Sequence, residues 1–124
     1  MKLTAREFDR AVEAAVARIP DEIRSALDNV VISVMKRPTP DMLDELDLAP
    51  NEPLLGFYQG TSLADRSVFE IPSLPDTIFI FQKPLEEMCE SVEELIEEIE
   101  ITVAHEIGHA LGMSEERLAE LGYD

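Results

Sequence analysis

The stretch ITVAHEIGHALGMSEE, residues 101–116, holds both histidines of the chain, His105 and His109, four positions apart, with Glu106 directly after the first. On a helix, residues four apart project from one face, so two imidazole nitrogens can address a single ion about 2 Å away. Glu106 is rotated from His105 by about 100° around the same helix. It reaches the edge of such a site without being a ligand. The competing reading is a pair of core histidines satisfied by backbone or carboxylate partners.

The surroundings favour the ion. From Ile101 to Met113 the only ionisable side chains are His105, Glu106 and His109. A helix apolar on nearly all sides is expected to be buried, and three ionisable groups there are costly without a compensating charge. In H-E-x-x-H hydrolases the intervening glutamate takes a proton from a water held at the metal. A catalytic zinc site needs a third protein ligand and keeps one position for water. The extended pattern H-E-x-x-H-x-x-G-x-x-H uses its glycine to break the helix and bring that ligand round. Here Gly112 stands in register, and Glu115 occupies the final position. A carboxylate is a competent zinc ligand, so Glu115 is the first choice, with Glu116 and Asp124 in reserve. Tyr58, Tyr123 and Arg66 are the available donors for a developing oxyanion.

Working outward, Ser91 with Glu94 signals the start of this helix, which can run to Leu111, about 30 Å. Between Glu86 and Glu100 lie eight glutamates and no basic residue, beside an apolar stripe of Val92, Leu95, Ile96, Ile99 and Val103. That half reads as a surface helix. Ser114 to Gly122 reads as one more short helix. At the other end of the chain, Phe8, Val12, Ala15, Val16 and Ile19 recur at helical spacing from Thr4 to Arg18, and Pro20 opens a second helical turn.

Asn29–Lys36 is short and β-branched, hence a strand. LLGFYQG, ending at Gly60, is another. DTIFIFQKP, Asp76 to Pro84, is the clearest, and its apolar run predicts a central strand covered on both faces. Pro84 stops it before a short helix around Leu85–Cys89. The four prolines of residues 37–53 leave room for one helical turn. Residues 61–75 show no period and predict a long loop, either a rim over the site or a plain connection.

The composition narrows the function. The chain has 124 residues, one domain's worth, with 45% hydrophobic and 30% charged residues. Twenty-seven acidic against 10 basic residues give a net charge of −17. Phosphate backbones require Lys and Arg clusters, which this chain lacks, so nucleic acid is not expected as a partner. One cysteine, Cys89, cannot form an internal disulfide and is expected to pack as a small apolar residue. No apolar segment has signal-peptide or membrane-spanning character, and the protein is expected in the cytoplasm.

Taken together, the stretches LDNVVISV, LLGFYQG, LPDTIFIFQKPL and above all TVAHEIGHALGMSEERLAELGYD resemble the small bacterial zincin-like metallopeptidases, the minimal zincins, over most of residues 27–124. The resemblance implies an α+β fold in which a small mixed sheet packs against the metal-binding helix. It implies Zn2+ on His105 and His109, Glu106 as general base, and an acidic third ligand at Glu115. The expected function is hydrolysis of a peptide or unfolded protein. A non-catalytic zinc-containing binding module, or a latent site completed by an accessory protein, is the alternative. A metal-dependent ribonuclease would want a third histidine and a basic groove.

Overall fold

The computed structural model describes residues 1–48, 54–60 and 76–123. The loop expected over residues 61–75, with Arg66, and Asp124 lie outside them.

Helix α1 (Ala5–Arg18) starts at Thr4 with a reciprocal cap: the Thr4 hydroxyl accepts the Glu7 N–H, and the Glu7 carboxylate accepts the Thr4 N–H at 2.9 Å. Phe8, Ala11, Val12 and Ala15 form its buried stripe, as the spacing predicts. Pro20 caps α2 (Asp21–Arg24) rather than occupying its first turn, and a 3-10 helix (Ser25–Asn29) leads into β1 (Val30–Met35). The single turn in the proline-rich connection is α3 (Pro40–Glu45).

Strand β2 (Gly56–Gln59) and strand β3 (Asp76–Phe81) complete a three-stranded mixed sheet in the order β1-β3-β2. Strand β1 pairs parallel with β3 in the register Ile32↔Ile78, and β2 pairs antiparallel with it in the register Tyr58↔Ile78. The chain is therefore α+β. Strand β3 is central as expected, but its two faces differ. Asp76, Ile78 and Ile80 are buried against helices, whereas Thr77 and Phe79 are half-buried and Phe79 stacks on Phe57 at 6.3 Å. Phe79, Phe57 and the 46%-exposed Val31 share that second face, which the described helices leave uncovered.

Strand β3 passes directly into α4 (Gln82–Met88), three residues earlier than the sequence suggested. Pro84 does not delay it, because a proline in the first turn forfeits an N–H that has no intrahelical partner anyway. Glu86 also departs from the reading of an exposed acidic run. It sits on α4 at 1% exposure, accepting the Leu3 N–H at 3.0 Å and the Gln82 side-chain N–H at 3.1 Å. Burial alone would raise its pKa, but these bonds and nearby Lys83 hold it below the ordinary glutamate range.

Helix α5 (Val92–Ala110) lies across the buried face of the sheet, and α6 (Glu115–Glu120) follows it. One continuous core joins Phe8, Ala15 and Ile23 from the N-terminal helices, Ile78 and Ile80 from β3, Leu95, Ile99 and Val103 from α5, and Leu118 from α6. No described helix is long and apolar enough to cross a membrane.

Cys89 is buried in this core, and burial pushes its thiol up to about 11, with Glu94 and Glu98 adding to the shift. Only the thiolate alkylates, so at pH 8 the native protein should react with iodoacetamide about a hundredfold more slowly than the same chain in denaturant. Equal rates in the two states would show that Cys89 is not enclosed.

Candidate metal centre

Ser91 caps α5, its hydroxyl accepting the Glu94 N–H at 3.1 Å. At the far end of this helix Val103, Ala104, Ile107 and Gly108 are buried, while His105 and His109 face the other way. The expectation of a helix end buried all round is therefore corrected: the side chain of His105 is 29% exposed and that of His109 45%. The apolar residues cover one side of the helix. The histidine side faces outward, so the two imidazoles meet solvent instead of the core.

Gly112 then reverses the chain. Its φ of +80° is a left-handed conformation that glycine adopts without a side-chain penalty. The Gly112 N–H donates to the His109 carbonyl at 3.0 Å and the Met113 N–H to the Gly108 carbonyl at 2.9 Å, which closes the helix in a Schellman motif. Ser114 caps α6 two residues later, and Glu115 opens it. This turn carries the Glu115 carboxylate back over the histidines.

The result is a tight group. His105 Nε2 and His109 Nε2 lie 2.8 Å apart, and Glu115 Oε1 lies 2.8 Å from His109 Nε2 and 4.0 Å from His105 Nε2. Among the described residues these three could hold a metal ion, each offering one ligand atom within 4.8 Å of the others. Donors about 2 Å from a tetrahedral zinc are roughly 3.3 Å from one another, a spacing that 2.8 and 4.0 Å bracket.

The protons tell the same story. The Nδ1–H of His105 donates to the Tyr123 carbonyl at 2.7 Å, and since a carbonyl only accepts, the Nε2 of the neutral ring is a lone pair. Two imidazole nitrogens and a carboxylate oxygen that converge in this way form a ligand set suited to a divalent cation.

Glu106 stands beside this group but outside it. Burial pushes its carboxyl above the ordinary glutamate range, while the two imidazoles and a hydrogen bond from the Tyr58 backbone N–H pull the other way. That N–H ties β2 to α5 beside the two histidines.

Of the remaining residues singled out in the sequence, Glu116 is exposed on α6 and does not join the group. The Tyr58 hydroxyl donates to Asp76 and the Tyr123 hydroxyl to Glu100 at 2.7 Å, so each is engaged elsewhere. What the sequence did not reveal is the Tyr123 carbonyl. A main-chain acceptor has no side-chain signature, and the only hint is that the ALGM of one helix end recurs as ELGY at the next.

Two imidazoles from one helix turn and a carboxylate from the next helix, with the half-buried Glu106 alongside, form a candidate metal centre on an α+β scaffold. Residues 27–123 match the family model of the zincin-like metallopeptidases, and the chain belongs to that family. Membership implies a zinc ion. No curated protein matches the chain.

Gly108, between the two histidines, explains how α6 comes so close. A Cβ there would lie 2.5 Å from the Cδ2 of Leu118, which is fully buried and has little room to retreat. Gly108→Ala gains about 1 kcal/mol of helix propensity but overpacks the core at about 1–3 kcal/mol. A net loss of about 1 kcal/mol by urea denaturation is expected. An unchanged or higher midpoint would mean that α6 is not held by this contact.

Proposed function

We propose that the chain is a zinc-dependent peptidase, with His105, His109 and Glu115 as metal ligands and Glu106 as general base. The observation that carries the reading is the convergence of two imidazole nitrogens and a carboxylate oxygen beside the half-buried Glu106. Zinc in such a donor set supplies Lewis-acid polarisation of a carbonyl and brings hydroxide within reach of neutral pH. Glu106 takes the proton of the attacking water and hands it to the departing amine. The fold leaves His105 and His109 in contact with solvent, so an incoming carbonyl meets them without a large opening of the structure.

Strand β2 supports a peptide as substrate. The Phe81 N–H donates to the Leu55 carbonyl, which makes 55/81, 57/79 and 59/77 the hydrogen-bonded pairs. The main-chain groups of Gly56 and Tyr58 therefore point away from β3, on the side where the Tyr58 N–H meets Glu106. An extended substrate can run along this edge with its backbone near the centre. An unfolded chain, which can extend along a strand edge, suits this arrangement better than a folded protein does. The same reading treats residues 1–124 as one domain and keeps the protein in the cytoplasm, where its unpaired, buried Cys89 needs no oxidant.

Two variants test the assignment. Glu106→Gln should retain one zinc per chain by metal analysis, while hydrolysis of an unfolded casein substrate falls at least about 100-fold. His109→Ala should lose the zinc altogether. A wild type that takes up no zinc, or a Glu106→Gln variant that cleaves at the wild-type rate, would overturn the reading.

A further inference from the structure

The two ring nitrogens of His105 meet residues from the two ends of one short segment. Glu115, at the first position of α6, has its Oε1 4.0 Å from Nε2, and the carbonyl of Tyr123, just past the last turn of α6, accepts from Nδ1–H at 2.7 Å. Three features hold that carbonyl. The Tyr123 N–H donates to the Leu118 carbonyl at 2.8 Å and the Gly122 N–H to the Ala119 carbonyl at 3.0 Å, repeating at the end of α6 the closure seen at Gly112. The Tyr123 ring is buried at 5% exposure. Its hydroxyl donates to Glu100 at 2.7 Å, five residues before His105 on α5.

From this arrangement we infer that Tyr123 and Glu100 are positioning residues for His105: the Glu100–Tyr123 bond fixes the Tyr123 carbonyl, and the carbonyl fixes His105 as the Nδ1–H tautomer with its Nε2 lone pair turned to the centre. A ligating imidazole needs its second nitrogen bonded to set tautomer and orientation, and the identity of that partner typically changes metal affinity by about 10–100-fold. Glu100 thereby leaves the anonymous acidic run on α5. Its carboxylate transmits the position of the helix to the carbonyl that reads the ring.

The inference rests on the zinc reading only for the identity of the ion, because the state of the ring can be followed in metal-free protein. The experiment compares wild type, Tyr123→Phe, Glu100→Leu and Glu100→Gln by two readouts: the 15N shifts of the His105 ring without metal, and zinc affinity by competition with a chromophoric chelator. Tyr123→Phe keeps the buried ring and loses only the hydroxyl. It should convert a single Nδ1–H tautomer into a mixture and weaken zinc about 10-fold. Glu100→Leu should match it, and the double variant should be no worse than either, as two halves of one linkage require. Glu100→Gln, whose amide oxygen still accepts the phenol, should restore both readouts towards wild type. A merely structural role would lower stability and leave the tautomer alone. Zinc binding by the wild type together with unchanged ring shifts and affinity in Tyr123→Phe and Glu100→Leu would overturn the inference. If the wild type binds no zinc and Tyr123→Phe still mixes the tautomers, the zinc reading falls and the positioning of His105 stands.

Discussion

Everything at this centre depends on the chain reversing within three residues of a histidine-bearing helix. His105 and His109 are placed by helix geometry alone, but two imidazoles are an incomplete set. The left-handed Gly112 lets the last carbonyls of α5 find partners while the backbone doubles back, and Ser114 restarts a helix at once. Glu115 is delivered by that restart. Gly108 permits α6 to lie close enough to α5 for the delivery to end within hydrogen-bond distance of His109. Two glycines four residues apart thus govern different halves of the same act, one through torsion and the other through clearance.

The role of α1 is of another kind. The family match begins at residue 27, so this helix falls outside it, yet Phe8, Ala11, Val12 and Ala15 are part of the same core as Leu95, Ile99 and Val103 of α5. The histidine helix is packed between the sheet and α1 along its apolar side. Its opposite side at the C-terminal end stays open. Rigid packing behind and solvent in front suit a helix that must hold two side chains steady while a ligand approaches.

Much of this was legible in the residues. The helix and strand types followed from periodicity, and the turn followed from glycine spacing, because both are local. The metal group could be proposed because His105, His109 and Glu115 sit within eleven residues of one another, so two local rules sufficed to bring them together. What failed was non-local. The exposure of His105 and His109 depends on which side of α5 meets the core, and a segment poor in charge does not declare that. The burial of Glu86 depends on Leu3 arriving from the far end of the chain. The Tyr123 carbonyl belongs to the main chain, which carries no letter in the sequence.

Strand β2 has a consequence beyond ligand geometry. Among the described residues it is an outer strand whose main-chain groups at Gly56 and Tyr58 face away from the sheet. Beyond the Tyr58 N–H, which Glu106 takes, such a rim can also meet the same strand of another molecule, which is the usual route to ribbon-like self-association. A net charge of −17 offers a safeguard, since molecules of like sign repel before their rims can meet. The acidity of this chain thereby works against pairing at the rim of β2, and that repulsion weakens as salt shortens the reach of the charges.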